Sequence, residues 1–179
     1  MKLKRSNVIL LVCLIIMGLS CKKKNENPID NLPPLTTTGA NTFGCLVNGA
    51  SFIPKVNFGP RGALESNFDF GNGKLFFSIS ARDNRQKKSS SSMALIVTAD
   101  DLKEGQEYNL TSSKQGNSSA SYYFIETTPK EYHTNDKVIG KVYIKCFDKK
   151  IASGTFWFDA VSDAGEKVEI REGRFDVRF

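Results

Sequence analysis

The sequence predicts an all-β domain, an antiparallel β-sandwich or partly open barrel of about nine to eleven strands with a C-terminal meander. Three observations lead there. Apolar and polar residues alternate with a period of two, and turn residues break the alternation about every 8 to 12 positions. Asn72-Gly73 is a strong two-residue hairpin signal, because both positions tolerate positive φ. Helical periodicity is nearly absent, with at most a turn over residues 100–105.

Strands are expected near 43–48, 51–56, 64–70, 74–81, 93–99, 106–111, 120–126, 138–147, 153–161, 166–171 and 173–179. With Gly71 opposite Lys74, the first clear hairpin sets Phe70 against Leu75, Phe68 against Phe77 and Ser66 against Ile79. The large apolar side chains then share one face, as a buried side requires. Toward the C-terminus, a loop over 149–151 sets Ile144 against Phe156, and a loop centred on Asp163 sets Phe158 against Val168 and Phe156 against Ile170. A turn at Glu172-Gly173 would set Ile170 against Phe175 and Val168 against Val177. The expected core face is Val142, Ile144, Cys146, Phe156, Phe158, Val168, Ile170, Phe175, Val177 and Phe179. The other loop length at Lys149 would turn Phe156 and Phe158 outward, at a cost of a few kcal/mol of apolar burial.

Two segments precede this domain, which spans 41–179. In residues 1–20, Lys2, Lys4 and Arg5 lead an apolar run from Val8 to Leu19, closed by small Ser20, which is the grammar of an export signal. The run is shorter than the roughly 20 residues of a membrane span and meets Lys22, Lys23 and Lys24. Gly18-Leu19-Ser20-Cys21 resembles the bacterial lipobox, with Gly18 and Leu19 in places where that pattern prefers Leu and a small residue. The resemblance implies lipidation of Cys21. Residues 21–40 read as a lipidated cysteine and a flexible tether, since Pro28, Pro33 and Pro34 forbid regular pairing; 19 such residues reach about 24 Å. The lysines after Cys21 would lie near anionic headgroups.

The stretch from Leu32-Pro33-Pro34 through Thr38-Gly39-Ala40-Asn41-Thr42-Phe43-Gly44-Cys45-Leu46-Val47-Asn48-Gly49 resembles a group of Bacteroidetes lipoproteins that carry an all-β domain of unknown function. So do Ser153-Gly154-Thr155-Phe156, Phe158-Asp159-Ala160 and Gly173-Arg174-Phe175-Asp176-Val177 near the end. The resemblance implies a domain attached to the cell envelope, at the outer membrane, facing either side of it. It transfers no catalytic residue.

Composition and motifs exclude several functions. Six of the 25 basic and two of the 19 acidic residues precede Asn41, leaving 19 against 17 in the domain, far from the basic face of a nucleic-acid binder. Once Cys13 leaves with the signal and Cys21 is acylated, Cys45 and Cys146 remain in an oxidising compartment. They are either a disulfide or two buried thiols. Two cysteines and His133, placed in a loop, lack zinc-ligand spacing, and no cofactor motif is present. Asp69-Phe70-Gly71 heads a hairpin without the companion motifs of a kinase, and no Gly-x-Ser-x-Gly elbow occurs.

The expectation is a non-enzymatic binding or structural module whose partner, beyond the membrane, is a glycan or an envelope protein. An apolar-ligand barrel and a glycan-processing enzyme are the alternatives. The expected registers place Tyr143, Trp157, Glu169 and Asp176 in one outward row. Aromatic rings beside carboxylates suit a sugar, since rings stack on its apolar faces and carboxylates accept from its hydroxyls. The alternative is an ordinary solvated sheet face, on which Asp159 opposite Lys167 offers some relief from charge repulsion and Trp157 covers its neighbours.

Overall fold

Alternating side chains and tight turns build an antiparallel sheet that curls on itself into a half-barrel. The computed structural model describes residues 27–57, 62–86 and 89–179. Among them are β1 (Thr42–Val47), β2 (Ala50–Phe52), β3 (Leu64–Gly71), β4 (Lys74–Asp83), β5 (Ser90–Ala99) and β6 (Glu107–Leu110). They continue as β7 (Ser119–Ile125), β8 (Pro129–His133), β9 (Gly140–Phe147), β10 (Ile151–Val161) and β11 (Lys167–Arg178). The strand order is β2-β1-β11-β10-β8-β7-β5-β4-β3. β10 forks: Ala152 through Phe158 pair with β9, which pairs onward with β6, whereas Val161 pairs with His133 of β8. Partial closure comes beyond β2, where Lys55 bridges Asp83 at the end of β4.

The β3–β4 hairpin has the expected register throughout, from Gly71 opposite Lys74 to Ser66 opposite Ile79. Asn72 and Gly73 both have positive φ, 54° and 74°, which matches the turn to the twist of its strands. Leu75, Phe77 and Ile79 are buried, but Phe70 is 65% exposed and Phe68 only partly buried. β3 ends the sheet, and among the described residues no strand lies beyond it to cover Phe70. The core joins the two curled halves: Phe77 lies 5.8 Å from Phe175, and Phe43 stacks on Phe156 at 5.0 Å between ring centres.

Five expectations are corrected. β8 falls in a stretch read as loop, because only Tyr132 in it is large and apolar and Pro129 opens it, a place where a strand tolerates proline. Pairing with β7 holds it, with Tyr132 6.1 Å from Tyr122, and His133 is its last residue rather than part of a loop. β2 is also short, because Pro54 lacks the N–H that a ladder needs.

The β10–β11 register differs by two residues. Phe158 faces Ile170 rather than Val168, and Asp159 faces Glu169 rather than Lys167. The loop over 162–166 is closed by the Glu166 N–H donating to the Ser162 hydroxyl. An even slip keeps the same face inward, so Phe158, Val168 and Ile170 are buried as expected.

On β9, Ile144 faces Gly154 rather than Phe156, and the register shifts between Ser153 and Gly154. The shift reverses the facing of the last residues of β9. Phe147 packs inward against Phe68, 5.1 Å away, and Cys146 leaves the core face to become half-buried. Phe179 is likewise 38% exposed, although it packs on Phe68 and Phe77.

The largest correction concerns Glu172-Gly173, which is not a turn. β11 runs unbroken from Lys167 to Arg178, and Arg171 and Glu172 together oppose the single residue Trp157 of β10. This is a β-bulge, with Glu172 at φ 54°. One extra residue resets the alternation, so Val168 and Ile170 point inward before it and Phe175 and Val177 after it. Turn and bulge satisfy the same apolar pattern.

Candidate functional site

No helix covers the outer face of β6, β9, β10 and β11 in the described residues, and a groove of about 400 Å³ lies across it. Two transverse rows form its floor and one wall. Glu107, Tyr143, Thr155 and Arg174 face one another across β6, β9, β10 and β11, and beside them run Lys141 and Trp157. Trp157 and Tyr143 are each 38% exposed. Gly173 contributes only backbone to the lining.

The bulge decides what else reaches the groove. Arg171 and Arg174 are three residues apart, and in an unbroken strand they would point to opposite faces. The extra residue turns both outward, and both line the groove with Glu172. The Arg171 guanidinium lies 5.7 Å from the centre of the Trp157 ring, a cation–π contact. It also pairs with Asp159 at 2.6 Å and Glu169 at 3.7 Å, and so offsets the repulsion between these facing carboxylates. Arg174 pairs with Glu172 at 3.6 Å and Lys141 with Glu107 at 2.7 Å.

The second wall comes from the segment read as a tether. Leu32 is buried, Pro33 lies over Gly44, and Leu35 lines the groove. A Cβ at Gly44 would sit 2.6 Å from the Pro33 ring, so only glycine lets the strap lie flat. Arg174 donates to the Pro33 carbonyl at 3.4 Å. The strap is fastened by Asp176, whose carboxylate accepts from the Thr36 hydroxyl at 2.6 Å and the N–H groups of Thr38, Gly39 and Ala40 at 2.8–3.2 Å. Burial by itself would raise this carboxyl, but the hydrogen bonds from Thr36, Thr38, Ala40 and Gly39 outweigh it and hold the group below its ordinary value.

Of the four residues expected in one outward row, the structure brings two together. Tyr143 and Trp157 share the groove. Glu169 and Asp176 do not line it: a bulge in place of a turn leaves them seven residues apart on one strand, Glu169 beside Arg171 and Asp176 only 1% exposed beneath the strap. The sequence reading missed Glu107, Lys141, Arg171 and Arg174. The signal for the two arginines was present in the break of alternation between Ile170 and Phe175.

Cys45 and Cys146 are both free. β11 and β10 stand between their strands, and no bond joins the two sulfurs in this structure. Burial pushes the Cys45 thiol up, and its sulfur rests 3.9 Å from that of Met93. No group of three or more potential metal ligands occurs among the described residues, and Cys21 lies outside them.

A family model described as a domain of unknown function, DUF6252, matches residues 66–177. The match includes every groove residue on β6, β9, β10 and β11 and excludes the strap, β1 and β2. No curated protein and no solved structure matches the chain.

Proposed function

Given that the chain belongs to the DUF6252 family, we propose that it is a lipid-anchored module of the cell envelope that binds a sugar chain, without altering it, in the groove over Trp157 and Tyr143. The observation that carries this reading is the pair of half-exposed aromatic rings in a concave face edged by ion-paired side chains. A sugar stacks its C–H faces on such rings and exchanges hydroxyl hydrogen bonds with the rim.

Binding is favoured over hydrolysis by the placing of the carboxylates. Glu107 and Glu172, the carboxylates that line the groove, stand on β6 and β11 with two strands between them, about 14 Å apart at the backbone. Each is also engaged with a cation. An apolar-ligand carrier needs an empty interior, and here Phe43, Phe77, Phe156 and Phe158 fill it. Attachment at the outer membrane through Cys21 rests on the export-signal grammar and on the end motifs that resemble Bacteroidetes lipoproteins.

The test is titration of the full chain, purified in detergent, against an array of glycans, with Trp157→Ala alongside. The expected result is binding that weakens about tenfold or more in the variant, as for a central aromatic anchor, while circular dichroism stays unchanged. Absence of any bound glycan, or equal binding by a folded variant, would overturn the reading.

A further inference from the structure

The carbohydrate reading leaves open whether the chain that fills the groove is acidic or neutral, and the charges on the rim decide between them. Three cations reach the groove, Lys141, Arg171 and Arg174. Each already has a carboxylate: Lys141 has Glu107, Arg171 has Asp159, and Arg174 has Glu172. The guanidinium donors are further occupied by the protein. Arg171 donates to the carbonyls of Ile170 and Phe158 at 2.9 and 3.2 Å, and Arg174 to those of Glu172 and Pro33 at 3.3 and 3.4 Å.

An acidic sugar would have to displace one of these carboxylates or sit beside it. Displacement loses an existing charge-assisted contact to gain a similar one, and adjacency places like charges together. An uncharged hydroxyl has neither problem. It donates to the carboxylate and accepts from the cation of the same pair, so each ion pair is a ready partner for one hydroxyl.

We infer that the groove takes a neutral, polyhydroxylated sugar chain and that its ion pairs, above all Glu107–Lys141 on the open wall, exclude acidic chains; this rests on the carbohydrate reading above. The groove crosses four strands, about 14 Å from Glu107 to Arg174 at the backbone, with the aromatic rings between the outer pairs. Lys141 is the position where selectivity is most easily changed, because among the described residues its amine is committed to one surface carboxylate, Glu107.

The experiment is an array of neutral, carboxylated and sulfated glycans probed with the full chain in detergent, with Glu107→Gln as a second protein. Neutral chains are expected to bind, with affinity changing less than about twofold from about 0.05 to about 0.5 M salt, because no net charge is paired. Glu107→Gln, which frees Lys141, is expected to gain about tenfold or more for carboxylated chains. Preference of the native protein for acidic chains, with affinity that falls steeply with salt, would overturn this inference and leave the sugar-binding reading standing. Failure of Glu107→Gln to gain acidic ligands would also overturn it. No binding to any glycan would remove the sugar-binding reading itself.

Discussion

Asp176 is the residue where expectation and structure differ most in consequence. Period-two alternation correctly makes it outward-facing, since Phe175 and Val177 are buried. Alternation carries no information about what covers a face, and here the strap over residues 36–40 does so. The buried carboxylate stands in for a turn partner of three backbone N–H groups that would otherwise be unsatisfied. Because its folded-state pKa is depressed, it contributes stability that is full above the unfolded value near 3.9 and lost as pH falls through the folded value. Asp176→Asn is therefore expected to cost about 1 to 3 kcal/mol at neutral pH, and the gap from native should close in stronger acid. Urea unfolding of both proteins at pH 7 and below pH 4 checks this; equal midpoints at pH 7 would show that the strap does not depend on the charge.

At the scale of elements, hairpins with strong turn chemistry were legible and bulges were not. Asn72-Gly73 fixed the β3–β4 register at every pair, because a two-residue loop leaves no freedom. The β9–β10 and β10–β11 loops are longer and allow slips of two residues that keep Phe156, Phe158, Val168 and Ile170 inside, so hydrophobic matching identified the face without the partner. Odd shifts within β9 and β11 were missed for a related reason. At Glu172 a turn explains the same reversal as a bulge, and at the end of β9 Cys146 and Phe147 are both apolar enough to face inward. The β9 shift has a chemical readout. Cys146 is half-buried and Cys45 fully buried, so iodoacetamide applied to the native protein should modify Cys146 and spare Cys45, with both modified after unfolding without reductant. A mass showing neither thiol modified after unfolding would mean that they are bonded and that the strand order is wrong.

At the scale of the whole molecule, the strap would bring the domain closer to a lipid proposed on Cys21 than a flexible tether through residue 40 would. The Asn27 side chain accepts from the Ile29 N–H, and only five residues lie between Asn27 and Cys21, a span of at most about 20 Å. If Cys21 is acylated as proposed, the lipid would therefore hold the groove near the membrane surface, with one groove wall built from the segment that follows Cys21. Cys21→Ala is expected to abolish incorporation of labelled fatty acid and to move the protein from the membrane fraction to the soluble one; label retained by the variant would contradict the anchor. Sheet class, most of the core and two groove aromatics could be read from alternation alone. The groove itself could not, because its walls come from a bulge and from a strap folded across 140 residues of sequence separation, as between Thr36 and Asp176.

Trp157 is the only tryptophan in the chain, which makes its fluorescence a direct reporter of the groove. Titration of the full chain with a neutral glycan selected on the array is predicted to change the intensity or wavelength of tryptophan emission saturably, with the same midpoint as binding measured by calorimetry. Calorimetric binding of that glycan with no change in Trp157 emission would place the ligand elsewhere and contradict the account.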